Sequence, residues 1–171
     1  MLKVKGFTLL ELMVTIAVAA ILLVIGAPSL NNLYQSIRTD MGVRKLHQTI
    51  AYARGQAVSL GQNVTVCHRK ETNCTDDWSK GLTVFVDQNA NNIFDDDDMD
   101  LTHIEDFNKH DSINTNQTSI QFQADGMAFG TQATAIYCPE NATSVTPKKV
   151  VVAPTGRIKM EDATSAECPQ D

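Results

Sequence analysis

"KGFTLLELMVTIAVAAILLVIGAP", residues 5–28, decides how this chain is read. From Phe7 to Ala27 nearly every side chain is apolar. A helix needs about 20 such residues to cross the hydrocarbon core of a bilayer. One carboxylate, Glu11, stands inside the run. At mid-bilayer a carboxylate costs about 2.5–3.5 kcal/mol on insertion scales, so Glu11 needs either the headgroups or a partner charge. A secretory signal peptide would have an apolar core of about 7–15 residues followed by a small-residue cut. Here the run is longer, and a late cut runs into Pro28. A plain membrane anchor fits the length and leaves Glu11 unexplained.

Gly6, Phe7 and Glu11 stand in register with the run, and two lysines, Lys3 and Lys5, precede it. In this the stretch resembles the leader and N-terminal helix of type IV pilins and type II secretion pseudopilins. The resemblance implies a cut between Gly6 and Phe7 by a prepilin peptidase, with N-methylation of the new Phe7 amine. Residues 1–6 would then be a discarded leader and residues 7–28 a single-pass anchor in the inner membrane. Glu11 is the fifth residue counted from Phe7. The electrostatics agree, because the freed amine is a cation in a low-dielectric place and Glu11, from the same or a neighbouring chain, is its counter-charge. Lys3 and Lys5 favour a cytoplasmic leader, although Arg38, Arg44 and Lys45 beyond the run weaken that asymmetry.

Gly26 and Pro28 are expected to bend the helix. Beyond them Leu30, Leu33, Tyr34, Ile37, Met41, Leu46, Ile50, Ala53, Ala57 and Leu60 recur at mostly helical spacing. Residues 29–60 therefore read as an amphipathic helix laying one stripe on a head, with a second bend near Gly42 and a stop at Gly61. From residue 62 the period changes. "NVTVCHR", "GLTVFVD", "LTHIEDF", "TSIQFQA", "QATAIYC" and "KKVVVAP" read as short strands, and "GRIKM" as a seventh. "QNANN", "ADG", "PEN" and "PTG" separate them. The expected fold is α+β: a long N-terminal pilin helix packed on a head, residues 61–171, of about six to seven antiparallel strands in two packed sheets. Trp78, just before a strand, reads as a core anchor.

"CTDDWSKGLTVFVDQNANNIFDDDD" resembles the GspH/FimT branch of the family, in which a Trp, a Gly and a "VF-D-x-N-x-N" run recur. That implies a minor pilin, a low-copy subunit that helps start assembly and forms part of the tip of a type IV pilus. Before assembly its head would lie in the periplasm, and after assembly at the extracellular tip. Its partners would be other major and minor pilins, met through the N-terminal helix. The first alternative is an H-type pseudopilin of a type II secretion system. The second is a tip subunit that binds DNA during transformation.

The four cysteines all follow the apolar run, which suits an oxidising compartment. Separation in sequence favours Cys67 with Cys74 and Cys138 with Cys168, and the sequence alone leaves the other two pairings open. The cysteines show no CxxC spacing for a metal. A C-terminal disulfide is also familiar among the minor subunits of type IV pili, which the resemblance turns toward the pilus.

Net charge is −6, with acid gathered at residues 76–111, so there is no global nucleic-acid footprint. In "DQNANNIFDDDD" Asp87, Asn89, Asn91, Asp95 and Asp98 fall at positions 1, 3, 5, 9 and 12 of an EF-type calcium loop. Position 6 is Asn92 where glycine is preferred, and position 12 is Asp where the bidentate ligand is Glu, so a polar turn competes with calcium. In "PTGRIKM" Arg157 and Lys159 share one side of a strand. Some members of this family use Gly-Arg-x-Arg near the C-terminus to bind DNA. Here Lys159 replaces the second arginine and loses its bidentate fork, and Glu161, Asp162 and Glu167 follow closely. No nucleophile elbow, acid–base pair or phosphate loop is present, and the four histidines lack ligand spacing, so an enzyme is not expected.

Overall fold

The computed structural model describes residues 7–168; the leader, with Gly6, Lys3 and Lys5, lies outside the described residues. The chain forms two compact units, Met1–Tyr34 and Gln35–Asp171. One helix, α1 (Leu9–Leu60), begins in the first and ends in the second. In the first unit Leu9, Leu10, Leu12, Met13, Val14 and Ile16 are all exposed. The stretch is long and apolar enough to cross a membrane.

In the second unit the described residues of the head form nine strands. The first sheet holds β1 (Val64–Lys70), β2 (Asn73–Thr75), β3 (Leu82–Val86), β4 (Met99–Ile104) and β6 (Ser119–Phe122). Its order is β2-β1-β3-β4, and β6 also pairs with β1. The second holds β5 (Ser112–Thr115), β7 (Ala133–Cys138), β8 (Lys148–Val152) and β9 (Ile158–Asp162), in the order β5-β7-β8-β9. Every pairing is antiparallel. Two strands exceed the expected six to seven, β2 and β5, both short and mostly polar.

The two sheets and α1 share one core. Val64, Val66, Val84, Val86 and Phe122 enter it from the first sheet, and Ala133, Ala135, Tyr137, Val150 and Val152 from the second. Alternation along each strand produces this, since every second side chain faces one side. Strands β1 and β3 depart from the alternation: residues 64–67 of β1 and all five residues of β3 are buried, and Phe94 of the β3–β4 loop meets Phe85. Trp78 is fully buried in a 3₁₀ turn, Trp78–Lys80, and its indole donates to the Thr118 carbonyl at 3.2 Å.

From α1 the core receives Val43, Leu46, Ile50, Ala53 and Ala57. The lower part of the expected stripe is therefore buried, while its upper part is not: Ile37 and Met41 are exposed, and Gln35 and Thr39 are buried instead. Leu30, Leu33, Tyr34 and Leu60 are exposed as well. Thr39 meets its own polar demand by donating to the Gln35 carbonyl at 2.9 Å, a bond that lets a hydroxyl sit on the buried side of a helix. Gly42 has a packing role. A Cβ there would lie 2.3 Å from two ring carbons of Tyr137, so only glycine admits the ring. The helix ends at Gly61, at φ +65°, where the amides of Gly61 and Gln62 both return to the Ala57 carbonyl.

Candidate functional site

Thr8 precedes the first turn of α1, and its hydroxyl accepts from the Glu11 amide at 3.2 Å. The sequence T-L-L-E thus caps the helix through Thr8, with Glu11 as the acid of the first turn. A carboxylate there faces the positive end of the helix dipole. That local benefit comes in addition to the pairing expected with the Phe7 amine. Phe7 is described and exposed.

In the second unit a buried carboxylate joins three elements. Asp111 accepts from Arg38 of α1 at 2.7 Å, from the Tyr137 hydroxyl of β7 at 2.8 Å and from the Glu140 amide at 3.3 Å. Burial first, and the bond to Asp111 second, push the Tyr137 phenol well above its usual range. Lys148 of β8 adds a second tie to the helix through Asp40 at 3.0 Å, and that contact raises the Lys148 ammonium above its ordinary value.

Disulfides join Cys67 to Cys74 and Cys138 to Cys168. The first closes the β1–β2 hairpin; the second ties the C-terminal segment to the end of β7. Beside it Thr164 and Glu167 form a capping box. Glu167 also holds Lys149 at 2.8 Å. The Lys149 ammonium first, and the Thr164 amide second, hold the Glu167 carboxyl down at about 2.

The acidic run folds back over the outer face of the first sheet. Asp87 is fully buried, and its two oxygens accept from Thr65, Gln121 and the amides of Asn91 and Asn92. Asn92 has φ +59°, the left-handed turn that an EF-type loop reserves for its sixth position. Asn89 and Asn91 both donate to Asp95, and these donors, Asn89 foremost, hold its carboxyl below the ordinary range. Asp98 accepts from the amides of Gln88 and Asp95. All five expected calcium ligands are thus brought together, but they bond to the loop and the sheet. Among the described residues no group of three or more His, Cys, Asp or Glu is placed to hold a metal ion. The hydrogen bonds within the loop are those of a tight polar turn.

The anchor of this loop is a residue the sequence reading passed over. Phe94 meets Phe85 edge to face at 5.5 Å, and the Arg69 guanidinium lies 4.0 Å from its ring centroid. Arg69 in turn grips Asp100 with two bonds of 3.0 Å. The available signal was an apolar Ile-Phe pair, Ile93 and Phe94, inside an otherwise polar run.

Arg157 and Lys159 line one hollow of about 410 Å³ on the second sheet, together with Lys149, Glu161 and Glu167. Lys149 is bound to Glu167, and Lys159 lies 3.8 Å from Glu161. The expected pair is brought together, then, with an acidic contact for Lys159 and two glutamates in the same hollow.

An exposed apolar N-terminal helix whose C-terminal part shares a core with two antiparallel sheets defines the pilin-like class of fibre subunits. Residues 42–156 match the family described as type II transport protein GspH, and residues 1–27 match the prokaryotic N-terminal methylation motif. The chain belongs to the GspH family and is a minor pilin or pseudopilin of the GspH/FimT type. Its fold is similar to that of the type IV minor pilin FimU of Pseudomonas aeruginosa, at 21% identity and TM-score 0.59, over 71% of this chain and 87% of that one. It is similar also to the minor pseudopilin EpsH of the type 2 secretion system of Vibrio cholerae, at 12% identity and TM-score 0.53, over 73% and 97%. No curated protein matches the sequence.

Proposed function

We propose that the chain is a minor pilin of a type IV pilus, cut between Gly6 and Phe7 by a prepilin peptidase and N-methylated on Phe7. Residues 7–28 hold it in the inner membrane with the head in the periplasm. It then joins other major and minor pilins at the fibre tip, where it helps start assembly. Its role is structural, not catalytic.

The observation that carries this reading is the placement of Glu11. It is the one acid in the first turn of a helix whose N-terminal apolar side chains are exposed, one turn from Phe7. A carboxylate in hydrocarbon calls for a partner charge, and the Phe7 amine of a neighbouring subunit supplies it while setting the axial register. The exposed Ile37 and Met41 offer further apolar surface to neighbouring helices. The pilus is favoured over the secretion system by the bridge between Cys138 and Cys168 near the C-terminus, a feature that the resemblance associates with pilus minor subunits.

Two measurements test the reading. Mass spectrometry of the protein in sheared fibres should find methylated Phe7 as the first residue; an intact leader contradicts the processing. Deletion should abolish twitching and leave exoprotein secretion normal; the reverse pattern assigns the chain to the secretion system.

A further inference from the structure

Beside β6 lies a hollow that the assembly reading leaves unused. Asn92, Gln117, Ser119, Gln121 and Thr131 bring amides and hydroxyls to it, and Phe129 stands at its wall. Among the described residues no charged one lines it. Its volume is about 340 Å³, at the lower end of the roughly 300–1,000 Å³ of small-ligand sites.

The site is held from below. Buried Asp87 accepts from the Asn92 amide at 3.0 Å and from the Gln121 side chain at 2.8 Å, which fixes two of its walls. The Ser119 hydroxyl donates to Asn92 Oδ1 at 3.0 Å, and Gln117 Nε2 to Thr131 Oγ1 at 3.2 Å. Those bonds leave Asn92 Nδ2 and the Thr131 hydroxyl proton as donors, and Gln117 Oε1 as an acceptor. Phe129 is 67% exposed, yet its backbone is fixed: its amide donates to the Gln121 carbonyl at 2.9 Å, and the Ala128 amide to the Pro154 carbonyl at 3.0 Å. An aromatic face is therefore presented on an ordered turn, next to unspent neutral donors and acceptors.

That combination selects a chemistry. An anionic ligand finds no cation in the lining, and a cationic one finds Asp87 buried and already bonded. A purely apolar ligand would strip water from five polar side chains without replacing their bonds. A sugar ring has what remains: hydroxyls that both donate and accept, no charge, and an apolar face for an aromatic ring. We infer that this hollow binds a neutral saccharide, with one sugar face on the Phe129 ring and the hydroxyls on Asn92, Gln117 and Thr131. Asp87 acts as a positioning residue through Asn92 and Gln121. The inference is independent of whether the fibre is a pilus or a pseudopilus.

Saturation-transfer NMR tests it on the full chain in phosphocholine micelles, which carry no sugar. The probes are lactose, maltose, chitobiose and mannobiose, with sialyllactose as an anionic control and a neutral hexapeptide as a second control. The expected result is transfer to at least one neutral disaccharide, weakened about tenfold by Phe129→Ala and by Gln117→Ala at unchanged melting temperature. Both side chains lie outside the core, so the variants fold. No transfer to any of the four sugars overturns the inference. So does transfer that Phe129→Ala leaves intact, preference for sialyllactose over lactose, or a response to the peptide alone.

Discussion

The Arg38 guanidinium lies 2.7 Å from the Asp111 carboxylate, whose side chain is wholly buried. The same carboxylate takes the Tyr137 hydroxyl at 2.8 Å. The helix, β7 and the segment leading into β5 are therefore joined at one charge. Removing one partner of a buried pair leaves the other charge uncompensated, at a cost of about 3–5 kcal/mol. Asp111→Ala should lose that much in urea unfolding. Tyr137→Phe, which removes one hydrogen bond and leaves the ion pair, should lose about 1–2 kcal/mol. Equal losses in the two variants contradict this ranking.

Gly42 and Tyr137 define a second test on the same contact between helix and sheet. Gly42→Ala places a methyl 2.3 Å from ring carbons Cε2 and Cζ, an overpacking worth about 1–3 kcal/mol. Because the ring carbons collide, Tyr137→Phe should not relieve the strain, whereas Tyr137→Leu in the Gly42→Ala background should recover part of it. Unfolding of Gly42→Ala alone and combined with Tyr137→Phe or Tyr137→Leu measures this, and full relief by Tyr137→Phe contradicts the packing account.

These contacts show what the sequence could disclose. The seven expected strands carry Val, Ile, Thr and aromatic side chains at period two, and such runs declare themselves. β2 and β5 are Asn-Cys-Thr and Ser-Ile-Asn-Thr, too short and polar to do so; their partners, β1 and β7, create them. On α1 the spacing of Ile37 and Met41 matched an apolar stripe, but periodicity does not say which face meets a sheet. Gln35 and Thr39 are buried there instead, and Thr39 can be because its hydroxyl bonds backward to its own helix. Around the acidic run, the alternation of Asp and Asn predicted a tight turn correctly. The run's use as a cover for the first sheet depended on Phe94, Phe85 and Arg69 meeting across distant parts of the chain.

The calcium question becomes quantitative on that basis. Asp87 is saturated by four protein donors, and Asp95 accepts from two asparagines and the Asp97 amide. Binding would have to break those bonds. A ligand that binds the folded state raises stability by RT ln(1 + [L]/Kd), so binding well below about 1 mM would move the melting temperature by several degrees at about 10 mM calcium. The structure predicts no such shift relative to magnesium. A calcium-specific rise, lost in Asp95→Asn, would contradict it.

Glu167 links the C-terminal segment to pH. Its folded carboxyl titrates at about 2, below the ordinary 4.5, chiefly through Lys149 and then Thr164. A depressed acid contributes stability that is fully present above its unfolded value and is lost as pH falls toward its folded one. The wild type should therefore lose stability between about pH 4.5 and 2 more steeply than Glu167→Gln. Parallel pH profiles would contradict the role of the Lys149–Glu167 contact.

The central claim is that Glu11 acts in assembly by answering the Phe7 amine of a neighbour. The most direct measurement compares Glu11→Ala with the wild-type chain in two fractions of the same cells, inner membrane and sheared fibres. Insertion depends on the apolar run, which the substitution makes more apolar, so the membrane amount should be unchanged. The amount in sheared fibres should fall about tenfold or more, as expected when a buried charge loses its partner. Equal amounts of the variant and the wild type in the fibre fraction would contradict the account.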